Sequence, residues 1–285
     1  VKTFIAFSAA VMAIGLLASG GESLASGLKI EPGGLLVQEV PVGEARSLVE
    51  SSGMKFVVYN HDDIPRLYRV SAHRPSDTGN GKWPRGYSEI PDASWIVPTP
   101  DVLEIPADSS ASFDVLIQLP DDARLYNQKW AVTLEVESDH VNGKNVALAL
   151  YPIVQIETRA NALSDSRPLG AVAVAPATLR ANGRGEPLSF AVYNNDSEPH
   201  DYLVHVEPAA GKIPPSPGMS SANSRGLVIP KPERFRIEPG GAAQVLLEVD
   251  PGADETEGPQ PWEQLIFVES ESGQCTFVRL QGATD

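Results

Sequence analysis

Phe56-Val57-Val58-Tyr59-Asn60, a polar turn reaching Pro65, then Leu67-Tyr68-Arg69-Val70: this stretch decides the fold, because the chain carries it twice. The second copy is Phe190-Ala191-Val192-Tyr193-Asn194, a polar turn reaching Pro199, then Tyr202-Leu203-Val204. Phe56, Tyr59, Asn60, Pro65, Tyr68 and Val70 all recur 134 positions later. Runs rich in Val, Phe and Tyr, broken by Asn, Asp and Pro, predict two short strands joined by a turn, a β-hairpin, in each copy.

The repeat extends outward on both sides. Trp95-Ile96-Val97-Pro98-Thr99-Pro100 is matched by Leu227-Val228-Ile229-Pro230-Lys231-Pro232, now at an offset of 132. Phe113 to Ile117 is matched by Val245 to Val249, and each half then sets a tryptophan, Trp130 or Trp262, at the head of a strand. A last strand is expected to close each half, from about residue 145 to 157 and from about 275 to 280. With turn signals every eight to twelve residues or so, about seven strands per half spell an immunoglobulin-like sandwich. No segment carries a convincing helical apolar stripe. The expected fold is all-β, two tandem immunoglobulin-like β-sandwiches after an N-terminal signal peptide.

The expected boundaries are a signal peptide over 1–26, a first domain over 27–158, a linker over 159–170 and a second domain over 171–285. Lys2, the apolar run from Phe4 to Ala18 and the small residues around Ser23-Leu24-Ala25 support the signal peptide. The run is short for a membrane span, so no span is expected in the mature chain. Thr158 to Gly170 loses strand periodicity, as a linker does.

Lys and Arg number 22 against 37 Asp and Glu, a net charge of −15. Such a surface repels phosphate backbones and anionic lipid, so nucleic acid is not an expected partner. The single cysteine, Cys275, forbids an intrachain disulfide and reads as a buried structural thiol.

No catalytic, cofactor or metal site emerges. His61, His73, His140, His200 and His205 show no zinc spacing, and His200 and His205 fall on opposite faces of one strand. The acidic pairs Asp62-Asp63 and Asp121-Asp122, and the run Asp254 to Glu257, lie in predicted turns. No nucleophile elbow or phosphate loop is present. The candidate binding residues are Val146, Leu148 and Leu150, and Trp83. The first three alternate with Ala147, Ala149 and Tyr151, so both faces of that strand are apolar, as in a strand covered on both sides or open to strand addition. Trp83 lies in the long loop 73–92, beside Lys82 and Arg85, and has no counterpart in the second half.

The stretch Ile105-Pro106-Ala107-Asp108 to Pro120, with Val58-Tyr59-Asn60 before it and Asn145 to Val154 after it, resembles the N-terminal immunoglobulin-like domain of bacterial pilus-assembly chaperones and their sperm-protein-like relatives. Ile105 to Trp130, with Tyr126-Asn127-Gln128-Lys129-Trp130, is also similar to secreted two-domain proteins that bind cell-wall-associated partners. The first resemblance implies a chaperone-like role, with pilin-like subunits as the kind of partner. Those chaperones have two dissimilar domains and a basic pair that holds a client carboxylate. Here the halves are alike, and neither Lys29 nor Arg159 aligns with that pair, so carboxylate capture is not carried over. The expected function is an exported, non-enzymatic protein–protein module of the bacterial envelope, periplasmic or secreted, without cofactors. A carbohydrate or cell-wall binding module using Trp83 is the alternative.

Overall fold

The computed structural model describes residues 27–79, 83–139, 148–162, 166–181, 187–211, 213–221, 227–250 and 261–283. The proposed signal peptide, Val146, His140 and the acidic run 254–257 lie outside them. No helix among the described residues is long and apolar enough to cross a membrane.

The first set of strands is β1 (Leu28–Glu31), β2 (Gly34–Val40), β3 (Ala45–Ser47), β4 (Phe56–Asn60), β5 (Arg66–His73), β6 (Ser88–Glu89), β7 (Ile96–Thr99), β8 (Val102–Ile105), β9 (Ser109–Gln118), β10 (Lys129–Ser138), β11 (Ala149–Leu150) and β12 (Ile153–Thr158). A five-residue helix, α1 (Leu48–Ser52), follows β3. The second set is β13 (Val172–Ala175), β14 (Thr178–Ala181), β15 (Leu188–Asn194), β16 (His200–Pro208), β17 (Ser220–Ser221), β18 (Leu227–Lys231), β19 (Arg234–Ile237), β20 (Ala242–Asp250), β21 (Pro261–Ser270) and β22 (Cys275–Ala283).

Each set makes two sheets. The first has β1-β4-β9-β3, with β7 also on β9, and β2-β12-β10-β5-β8, with β6 and β11 on β10. The second has β13-β15-β20-β18 and β14-β22-β21-β16-β19, with β17 on β21. Apart from β3 and β11, which have no counterpart among the described residues of the second set, the two plans correspond, down to the parallel bridge beside each tryptophan: Trp130 pairs Ser88, and Trp262 pairs Ser220. The fold is therefore all-β and built as paired sandwich sheets, as expected.

One expectation is corrected. The repeated stretch is not a hairpin, because β4 pairs β1 and β9 whereas β5 pairs β10 and β8. The turn steps from one sheet to the other, and so does its copy between β15 and β16. Asn60 sets this crossing. It is fully buried, and its Nδ2 donates to the carbonyls of Ile64, Ile105 and Pro106. Its Oδ1 accepts from the Asp62 amide and the Tyr68 hydroxyl. Asn194 does the same with Glu198, Ile237 and Asp196. A buried amide of this kind needs every partner it can reach, which ties the turn to a strand end more than 40 residues away.

The closing strand expected over 145–157 is also interrupted. Tyr151 and Pro152 separate β11 from β12. Alternation elsewhere follows the pleat: in β5, Tyr68 and Val70 point into the core while Arg69 and Ser71 face out. β10 is buried along nearly all its length. Trp130, Val132, Leu134 and Val136 join the first core, and Ala131 on its other face joins a separate cluster shared by both halves.

Candidate functional site

Two regions of the fold hold the candidate residues: the edge at β11 and the seam between the halves. At the edge, β1 pairs β4 in one sheet and β2 pairs β12 in the other, so the first strand changes sheets at Pro32-Gly33. β2 begins with Gly34 opposite Ile153. Among the described residues, β11 has a ladder only on its β10 side, where Val136 faces Leu150 and Glu137 faces Ala149. The Leu148 carbonyl accepts from Ser138 N at 2.8 Å, and the Pro152 carbonyl accepts from Leu134 N at 2.9 Å. Backbone groups alternate along a strand, so those of Ala149 point away from β10.

The side chains here behave differently from the apolar-on-both-faces expectation. Leu148 and Leu150 are half-buried against the first core. Tyr151 is exposed and donates to Glu135 at 3.0 Å. Trp83 is half-buried at the seam, and its indole N–H donates to the Tyr87 carbonyl at 2.9 Å. The structure thus places Trp83 far from Leu148 and Leu150 in packing terms: it joins the shared cluster, and they join the core.

The seam is built on Arg279 of β22. Its Nε and Nη2 each reach Glu157 of β12 at 2.6 Å, and its Nη1 donates to Glu263 of β21. All three side chains are under 10% exposed. The carboxylates are satisfied further: Ser216 donates to Glu263 through its amide and hydroxyl, Gln281 donates to Glu263, Gln38 donates to Glu157, and so does the Tyr87 hydroxyl. Burial opposes the charge on Glu157, yet Arg279 holds its carboxyl down at about 2. Burial also pushes the Tyr87 phenol well above its usual range, and the Glu157 charge adds to this. A buried ion pair survives only when its remaining polar atoms are bonded in this way.

Lys129 lies beside this network. It is buried, and its Nζ has no hydrogen-bond partner; it sits 4.6 Å above the Phe277 ring. Burial pushes the amine down to about 8, against the pull of Glu157. It lines a cleft of about 470 Å³, with Trp83, Tyr87, Gln128, Leu169 and Val172. Lys29 and Arg159, by contrast, are exposed, and Lys29 pairs with Glu31. Cys275 is a free, half-buried thiol, and burial pushes it up to about 12.

Sequence reasoning missed Lys129, Glu157, Glu263 and Arg279. A signal for two of them exists in the repeat. Trp130 pairs Ile156 and Trp262 pairs Gly282, so Ile153 corresponds to Arg279 and Ala131 to Glu263. A charge stands in the second half at each place where the first has an apolar residue.

No family model matches this chain, and no curated relative does. Its likeness is to solved structures. A protein of unknown function from Porphyromonas gingivalis W83 is 14% identical, with 90% of this chain and 99% of that one covered, at a TM-score of 0.36. The periplasmic chaperone SfaE is 11% identical over 90% of this chain and 99% of its own, at 0.30. The class 5 fimbriae chaperone CfaA is 11% identical over 88% and 98%, at 0.31. These are likenesses of fold at low TM-score.

Proposed function

We propose that this protein is a non-enzymatic protein–protein module of the bacterial cell envelope, chaperone-like or accessory to assembly. It consists of a targeting segment over 1–26 and two sandwich domains, 27–158 and 171–285, joined by 159–170. It takes an extended segment of a pilin-like partner by strand addition at β11. The observation that supports this is the β11 edge itself. Its ladder on one side is made with β10, β2 starts only opposite Ile153, and the backbone of Ala149 faces outward. Main-chain hydrogen bonds there would give affinity, and side-chain pockets along the strand would give selection. The chaperone resemblance of residues 105–154 supports the class of partner.

The test must spare the core, so Leu148 and Leu150 are poor targets. Ala149→Pro removes the outward N–H and leaves the β10 ladder in place, because proline is tolerated on an edge. A photocrosslinker at the exposed position of Tyr151 is expected to capture an extended segment of an envelope protein, and adding Ala149→Pro to abolish capture with the thermal unfolding unchanged. Capture undiminished by Ala149→Pro would overturn the proposal.

A further inference from the structure

Residues 83–87 form a strap that leaves the first half and lies on the second. Gly86 has φ +83, and a Cβ there would come within 2.5 Å of the Phe277 ring. Tyr87 packs edge-on against Phe277 with centroids 5.6 Å apart. The outer end of the strap is Arg85. Its guanidinium sits 4.3 Å over the Phe267 ring, with Nη1 2.8 Å from Glu207 and Nη2 2.7 Å from Glu269.

His205 of β16 stands in the middle of this grip. Its ring stacks on Phe267, with centroids 5.8 Å apart. Its Nε2 is 3.1 Å from Arg85 Nη2 and 3.0 Å from Glu207 Oε1. One nitrogen cannot serve both: it accepts from arginine only without a proton, and it donates to glutamate only with one. Its Nδ1 is buried without a hydrogen-bond partner. The charged and titratable groups around it are Arg85 from the strap, Glu207 on its own strand, Glu269 on β21 and the Cys275 thiol on β22.

We propose that His205 makes the strap's hold on the second half pH-sensitive: when neutral it leaves Arg85 clamped on Glu207 and Glu269, and when protonated it drives Arg85 off. The sign follows from what moves. The two carboxylates belong to the second half and stay beside His205 whether the strap is on or off. Only the guanidinium leaves. A cationic His205 is therefore favoured with the strap off, because it loses a positive neighbour at 3.1 Å and takes Glu207 for itself. By linkage, acid loosens the strap and neutral or alkaline pH closes it. Imidazole is the side chain whose ordinary titration, near pH ~6.5, lies in the physiological range. The device needs no partner to operate.

The experiment is amide hydrogen exchange on the intact protein, corrected for intrinsic rates, at about pH 8 and about pH 5.5, either side of the imidazole range. Strap amides, Tyr87 above all, are expected to lose protection about two- to fivefold at the lower pH, the size of an exposed ion-pair contribution. β21 amides should not change. His205→Phe keeps a ring on Phe267 and should abolish the difference, while Arg85→Gln should leave the strap loose at both pH values. The His205 ring resonances should titrate together with the strap. A strap that does not respond while His205 titrates, or one that still responds in His205→Phe, would overturn the proposal.

Discussion

Arg279 and Glu157 are joined by two hydrogen bonds of 2.6 Å, although one belongs to the last strand of the second half and the other to the last strand of the first. They fasten the two halves through a buried ion pair. Arg279→Met should leave Glu157 and Glu263 buried without their cation, and lower stability by about 3–5 kcal/mol in denaturant unfolding at neutral pH. A loss below about 1 kcal/mol would mean that water reaches the seam.

Lys129 and Glu157 both make stability rise with pH, in two separate ranges. The Lys129 amine is depressed from 10.5 to about 8, so the unfolded chain binds more protons between those values. Stability should therefore rise with pH from about 8 to 10.5, and Lys129→Met should be more stable at neutral pH and lack the rise. Glu157 is depressed from 4.5 to about 2, so its contribution is full above 4.5 and is lost as pH falls toward 2. Thermal unfolding of wild type and Lys129→Met across pH checks both windows.

Tyr68 and Tyr202 occupy equivalent places but are not equivalent in bonding. The Tyr68 hydroxyl donates to Asn60, whereas the Tyr202 hydroxyl is buried without a partner. Tyr68→Phe should cost about 1 kcal/mol, and Tyr202→Phe should be neutral or stabilising by a similar amount. Equal effects in calorimetry would contradict the difference in the two sites.

Gly86→Ala introduces a Cβ into the Phe277 ring at a backbone conformation that disfavours side chains. A loss of about 2 kcal/mol is expected, from strain and overpacking together. Fluorescence of the half-buried Trp83 should report the strap lifting before the cores unfold.

The strands were legible in the sequence because Val, Phe and Tyr alternate with polar residues between turn signals. Asn60 and Asn194 were legible as a repeat, but what they do was not. Whether five turn residues fold back or cross over depends on the carbonyls of Ile105, Pro106 and Ile237, which no local pattern contains. The Tyr151-Pro152 break was hidden inside a continuous apolar run. The seam was illegible for a different reason. A charged residue in a strand reads as a solvent-facing one until its partners are known, and the first-half partner of Arg279 lies 122 residues away. The edge residues Leu148 and Leu150 were found by their apolar character, yet that character serves the core, and the outward feature is the backbone of Ala149.

β2 lies in parallel beside β12, and β14 beside β22. Within each half, the earliest and the latest portions of polypeptide are neighbours. A chain emerging from the ribosome amino end first therefore holds β2 unmatched until residue 158 has appeared, and Glu157 waits for Arg279 a further hundred or so residues on. Long-range pairings of this sort slow folding and leave apolar strands uncovered meanwhile, so this molecule has a prolonged need for protection while it is being made.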